Sequence, residues 1–394
     1  MQRAVSAQID QELAQPHPKV VVLIGQRRVG KTYELRRLIR AHPDTAIFVD
    51  FEDFAVRELW VPALATLDRL LGPRDTERLL LLDEVQLVAQ IGSVLKLIHD
   101  HFPRTRIVAS GSAAFLLLKN IGDSLVGRSV TLNVHPLLPR EMVADADNSR
   151  YVLGDYDRLA NKPLIDANLE HWLVFGCLPE IWQEPDPTRK ETLLRNYVNG
   201  LMLKDIFELE GIRLPDGMQK LVRLLALQVG SEVNPNELAT QLSMSRPTVL
   251  EYIGILEKFR LVRILTAFSG NLRNEVTRSF KVYFNDLGVR NALMGNFVPT
   301  SGRTDSGAMF ENFVANLLAF NCDVFQQPYQ FHFWRTTAQT EVDLVLANQR
   351  TAKLVPIEIK LTQSAKIPRK FLEAYADRIE ASFVVNRGNV WQFA

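Results

Sequence analysis

Cysteine is nearly absent from this 394-residue chain. Cys177 and Cys322 are too few and too far apart for a disulfide framework or a cysteine-ligated zinc site, and they suit a reducing compartment. An excess of one charge is also lacking. Forty-six Lys and Arg face 45 Asp and Glu, a net charge of +1, so the chain as a whole is no polyanion binder. Any nucleic-acid contact has to come from a local patch. Long apolar runs are missing as well. Val20–Ile24 and Leu79–Leu82 are strand-length, far below the roughly 18 residues that suggest a membrane span. Met1-Gln2-Arg3 leads into a polar stretch without the apolar core of a signal peptide. No membrane partner and a cytoplasmic location are therefore expected. No repeat or low-complexity tract occurs.

What remains is the balance of a folded protein, 47% hydrophobic and 23% charged, long enough for two or three domains at roughly 150 residues each. Residues 1–145 alternate apolar runs with helical patterns, which predicts an α/β domain on a parallel sheet. Its strands are expected at Lys19 to Ile24, Thr45 to Asp50, Arg78 to Leu82 and Arg106 to Ala109. The polar stretch Ala144 to Ser149 suggests a boundary. Residues 146–217 read as a helical linker or lid, broken at Gly176-Cys-Leu-Pro179 and Pro185-Asp-Pro187. Residues 218–300 read as a winged-helix domain and 301–394 as a further α/β domain.

Gly25-Gln26-Arg27-Arg28-Val29-Gly30-Lys31-Thr32 has the spacing of a phosphate-binding P-loop, between an apolar strand and the helix that begins near Tyr33. The glycines let backbone N–H groups curl around a phosphate at the helix's positive end. Lys31 is expected on the β- and γ-phosphates of ATP, and Thr32 on Mg²⁺. Leu79–Leu82 then runs into Asp83-Glu84, as the partner motif requires. Asp83 would hold the Mg²⁺ shell and Glu84 would polarise the attacking water. Ser110 and Ser112 are candidates to sense the γ-phosphate, or simply to cap the next helix. Arg128 is a candidate arginine finger, acting in its own subunit or on a neighbouring copy in a homo-oligomer, or else a surface arginine. Asp50, Glu52 and Asp53 read as a solvated loop, and Arg36, Arg37 and Arg40 as a solvated helix face. His99 and His101, with no cysteine or acidic cluster nearby, read as solvated.

Asn236 to Leu242 and Arg246 to Phe259 read as two helices around a tight turn. Ser245 would cap the second, with Pro247 in its first turn. Leu261 to Leu265 and Phe280 to Phe284 would be wing strands. Between Met218 and Asn285 nine basic residues face five acidic ones. This supports DNA contact through Arg246, Thr248 and Tyr252, with Arg273, Arg278 and Lys281 on the backbone. Glu251 and Glu257 on the same helix favour the other reading, a protein–protein module.

Further on, Glu311 lies on an apolar-periodic helix, Asp343 ends a strand-like run, Thr340-Glu-Val-Asp, and Glu358-Ile-Lys360 lies on the next. Two acids and a lysine at this spacing form the set of restriction-endonuclease-like enzymes. Asp343 and Glu358 would bind Mg²⁺, Lys360 would position water, and Glu311 would complete the metal shell. A domain kept only for docking is the competing reading. The aromatic run Tyr329 to Trp334 alternates as a core strand does.

With these residues in place, the chain resembles a family of bacterial and archaeal AAA-type ATPases. These carry a C-terminal domain of unknown function, joined through a winged helix to a nuclease-like fold. The resemblance rests on Gly25 to Thr32, Leu82-Asp-Glu-Val-Gln86, Ser110-Gly-Ser-Ala113, Leu125-Val-Gly-Arg128 and Gly176-Cys-Leu-Pro-Glu180. It continues through Tyr283-Phe-Asn-Asp-Leu-Gly288, Gly307 to Asn312, Glu341-Val-Asp343 and Glu358-Ile-Lys360. It implies ATPase activity without a shared substrate. Tyr33 and Cys177 depart from the pattern, where the family usually has a small hydroxyl residue and often a glycine.

Overall fold

The computed structural model describes residues 3–60, 63–111, 125–142, 153, 162–202, 206, 215–269, 280–336, 338–361 and 365–394. These fall into two compact units: residues 2–135 with 258–260, and the remainder of the chain from 136. The polar stretch at 144–149, Ser112, Arg273 and Arg278 lie outside the described residues. No described helix is long and apolar enough to cross a membrane.

In the first unit, helix α1 (Ala4–Leu13) precedes strand β1 (Val20–Ile24) and helix α2 (Lys31–Ala41). Strands β2 (Ala46–Asp50) and β3 (Arg78–Asp83), helix α3 (Ile91–His101), and strands β4 (Thr105–Gly111) and β5 (Ser129–Asn133) follow, with two shorter helices, Phe54–Leu59 and Leu64–Leu71, between β2 and β3. All five strands are parallel, in the order β2-β3-β4-β1-β5. Val20–Ile24 is buried at every position, which explains its β-branched run: a central parallel strand is covered on both faces and has no polar side. Helix α3 presents Ile91, Val94, Leu95 and Ile98 at helical spacing, all fully buried against the sheet's core. Each such side chain contributes about 1.5–3 kcal/mol. The order places β4 between β1 and β3, so the residues following both strands converge at one end of the sheet.

The second unit contains helices α4 (Lys162–Phe175) and α5 (Pro215–Leu227), strand β6 (Glu232–Val233), and helices α6 (Pro235–Leu242) and α7 (Arg246–Lys258). Strands β7 (Val262–Ala267) and β8 (Phe280–Phe284) follow, then helices α8 (Leu287–Met294) and α9 (Ser306–Val324). Strands β9 (Tyr329–Arg335), β10 (Glu341–Asn348), β11 (Leu354–Ile359) and β12 (Phe383–Val385) end it. One sheet, β12-β11-β10-β9-β7-β8-β6, takes in all seven strands. It crosses position 300 without a break, because β7 pairs in parallel with β9 through Thr266 and Ala267. Ser245 accepts the amide of Thr248, as expected of a cap for α7. Asp343 sits near the start of its strand rather than at the end.

Two glycines and an aspartate join α4 to α8. Gly176 follows α4 at φ +75°, and a Cβ there would fall 2.2 Å from Asp286 Oδ1. Asp286 caps α8 by accepting from Val289 N, and also accepts from Cys177 N at 2.7 Å. Gly288 lets Phe175 O approach to 2.0 Å of where its Cβ would be. Asn291 Nδ2 donates to Leu173 O and Val174 O at 3.0 and 2.8 Å, satisfying carbonyls that the end of a helix leaves open. Burial pushes the Asp286 carboxyl up to about 6, against the pull of its backbone donors.

Candidate nucleotide site

The loop between β1 and α2 turns on residues with positive φ: Arg28 at 64° and Gly30 at 101°. Gly25 is required by proximity, since a Cβ there would meet Val134 O at 2.2 Å. Lys31 is buried, and its Nζ donates to Gly25 O at 2.9 Å and Gln26 O at 3.1 Å. The ammonium thus spans the loop whose donors would cradle a phosphate. Burial pulls its pKa below that of an ordinary lysine, while Glu84 and Asp83 hold it up.

Asp83 ends β3 and is the centre of the site. Thr32 Oγ1 donates to Asp83 Oδ2 at 2.7 Å, and the Ser110 hydroxyl to Asp83 Oδ1. The amide of Glu84 also reaches Oδ1, at 3.1 Å. Thr32 and Asp83 are thereby two hard oxygen donors side by side, the kind of set that octahedral Mg²⁺ takes. Glu84 adopts φ +52° and accepts from Gln86 Nε2. Ser110 is fully buried, and its bond to Asp83 separates it from a plain helix cap. Tyr33 is 42% exposed, with the Arg40 guanidinium 5.9 Å from its ring centroid.

Three readings of this unit change. Arg128 immediately precedes β5, and its carbonyl accepts from Val20 N at 2.8 Å. It therefore stands at the start of the strands, a five-residue strand or about 16 Å from the phosphate-loop end. That is beyond side-chain reach, so Arg128 is no finger for its own site, and its Nε pairs with Asp100 at 2.9 Å. Glu52 is not merely solvated, because it pairs with Arg27 of the phosphate loop at 3.1 Å. Nor is Arg37, which is held by Glu34 at 2.8 Å and Asp10 at 2.9 Å. The sequence reading also missed Arg3, Ser6 and Glu34, all buried. Ser6 Oγ donates to Glu34 Oε2 at 2.8 Å.

In the second unit, Tyr252 is only 4% exposed. It packs into the interior and is corrected as a groove contact, while Arg246 remains exposed and Thr248 half-buried. The carboxylates of the C-terminal domain do gather, but around lysines. Lys281, expected on the DNA backbone, is instead 2% exposed on β8, where it pairs with Glu311 Oε1 at 3.0 Å and with Glu341. Tyr283 OH donates to the same Glu311 oxygen at 2.6 Å. Burial lowers Lys281, but Glu311 and Glu341 more than offset it, so its pKa rises and the ammonium persists. Lys360 Nζ lies 2.9 Å from Asp343 Oδ2 and 2.8 Å from Glu358 Oε1. Among the described residues no group of three His, Cys, Asp or Glu could hold a metal ion. Glu311, read as a metal ligand, bonds to Lys281 and Tyr283. Asp343, Glu358 and Lys360 come together as read.

The first unit has the fold of a P-loop ATPase, a parallel sheet with the phosphate loop and the acidic strand end at one edge. Residues 17–143 match a family model described as an AAA domain. Residues 166–300 match a domain of unknown function, DUF8612, and residues 306–392 another, DUF4143. The chain thus carries an AAA domain and a C-terminal DUF4143 domain. An uncharacterized protein of Methanocaldococcus jannaschii is 27% identical over 257 residues, 64% of this chain and 57% of that one. The chain therefore spans less than two thirds of that relative's length. An uncharacterized protein of Haemophilus influenzae is 24% identical over 314 residues, covering 76% of this chain and 73% of its own. Among solved structures, the Walker-type ATPase of Pyrococcus abyssi superposes with a TM-score of 0.47 at 17% identity, over 73% of this chain and 94% of that one. The RuvB Holliday junction branch migration motor of Thermotoga maritima reaches 0.30 at 14% identity, over 66% and 86%.

Proposed function

We propose that this chain hydrolyses ATP with Mg²⁺ and couples the hydrolysis to DNA. The observation that carries the first part is the Asp83 cluster, where one carboxylate holds both the phosphate-loop hydroxyl of Thr32 and the buried Ser110. Thr32 and Asp83 would hold Mg²⁺, which when bound offsets charge developing on the phosphates. Lys31 would leave the loop carbonyls for the β- and γ-phosphates, and Glu84, released from Gln86, would orient the attacking water. Arg128, on the far end of the sheet, would act only on the site of a neighbouring copy.

The DNA part rests on the order α5-β6-α6-α7-β7-β8, which supports a winged-helix reading. The exposed Arg246 at the start of α7 adds to it. No strand cleavage is proposed for the C-terminal domain, whose carboxylates pair with Lys281 and Lys360. Docking is the reading left to it. The test is steady-state hydrolysis with Mg²⁺, alone and with single-stranded, duplex or branched DNA. One DNA form should raise the rate several-fold, and Arg246→Ala should blunt that rise. Hydrolysis indifferent to every DNA form would sink the coupling and favour a nucleotide switch read by a protein partner.

A further inference from the structure

Arg3 is a buried cation next to the phosphate loop, 4% exposed, just before the first residue of α1. Its Nη1 donates to Val29 O at 2.8 Å and its Nη2 to His135 O at 2.8 Å. A guanidinium stays charged at any physiological pH, and burying it is costly unless its donors are used. Here one branch of the fork is spent on the phosphate loop itself and the other on the backbone just past β5.

The geometry of the peptide plane gives that contact a consequence. In a trans amide the carbonyl and the following N–H point in opposite directions. The cation on the Val29 carbonyl therefore fixes and polarises the Gly30 N–H on the opposite side. That N–H directly precedes Lys31 at the positive end of α2, where phosphate loops present their donors. The second bond reaches the segment on which the loop's other end rests, since Gly25 packs against Val134 O. Both ends of the loop are thereby tied to Val134 and His135, Gly25 by direct packing and Val29 through Arg3. Helix α1 holds Arg3 in place, anchored on α2 by Ser6 with Glu34 and by Asp10 with Arg37.

We propose that Arg3 is a positioning residue of the nucleotide site, orienting the Val29–Gly30 peptide toward the phosphates of ATP. The proposal rests on the ATP reading above. Its test is calorimetric titration of Mg-ATP into the full chain, comparing the wild type with Arg3→Ala and Arg3→Lys. A lost charge-assisted hydrogen bond of this kind should weaken Arg3→Ala binding by about tenfold or more. Arg3→Lys, with the charge but without the fork, should fall between. KM should rise by more than kcat falls, and added guanidinium ion should restore part of the affinity of Arg3→Ala, which a purely structural role would not allow. Wild-type affinity in folded Arg3→Ala would overturn the proposal. If that variant does not fold, a folded Arg3→Lys with wild-type affinity would overturn it equally. A wild type that binds no Mg-ATP would overturn the ATP reading itself, and this one with it.

Discussion

Lys31→Ala should cost the protein its nucleotide. The ammonium is buried and spans the loop between Gly25 O and Gln26 O, so the loop already surrounds the position from which it would meet phosphate. Removing one member of a buried, hydrogen-bonded charge pair costs about 2–5 kcal/mol, on the order of 10²-fold or more in affinity. The fold should survive, because the loop's shape rests on Gly25 against Val134 and on Arg3, and neither needs Lys31. Calorimetric titration with Mg-ATP checks the affinity, and circular dichroism the fold. Near-wild-type binding by Lys31→Ala would mean that the nucleotide is not held by this loop.

Gly176→Ala should have the largest effect on stability. The position has φ +75°, which disfavours any side chain, and its Cβ would lie 2.2–2.6 Å from the carboxylate of Asp286. That carboxylate cannot move aside without giving up the amides of Cys177 and Val289. Strain of about 1–3 kcal/mol at the backbone adds to a comparable cost for forcing atoms into a packed site. Denaturant titration of the two-unit chain should show the transition assigned to the second unit moving to lower denaturant, with the first unit's transition unchanged. Gly72→Ala is the control, since its φ is +76° but nothing lies within 4 Å. Equal effects at the two positions would contradict the role given to the contact with Asp286.

The phosphate loop and the Asp83-Glu84 strand end were legible because each is local: a strand, a turn and a helix written consecutively. Four of the first unit's strands, β1 to β4, lay within a residue or two of their expected places. β5 was not read as a strand, and the reason is visible in Ser129–Asn133. It is short, partly exposed and polar at alternate positions, and it becomes a strand through its pairing with β1. The glycines of the Gly176 and Gly288 segments could be seen, but not their reason, which is a contact more than a hundred residues away in the chain. The setting of Glu311 was hidden for the same cause. Its partners Lys281 and Tyr283 lie on a strand 30 and 28 residues earlier, and nothing local separates an acid awaiting a metal from one facing a lysine. No sequence signal announces two backbone carbonyls as the partners of Arg3.

The measurement that bears most directly on the account is Mg²⁺-dependent release of phosphate from ATP by the wild type and by Glu84→Gln. The wild type should turn over only with Mg²⁺, and Glu84→Gln should bind ATP while hydrolysing it roughly 10²–10⁴-fold more slowly, the span typical of a lost general base. Equal turnover by the two proteins would contradict the assignment of Glu84 to the attacking water. Absence of turnover from both, with and without DNA, would contradict the ATPase itself.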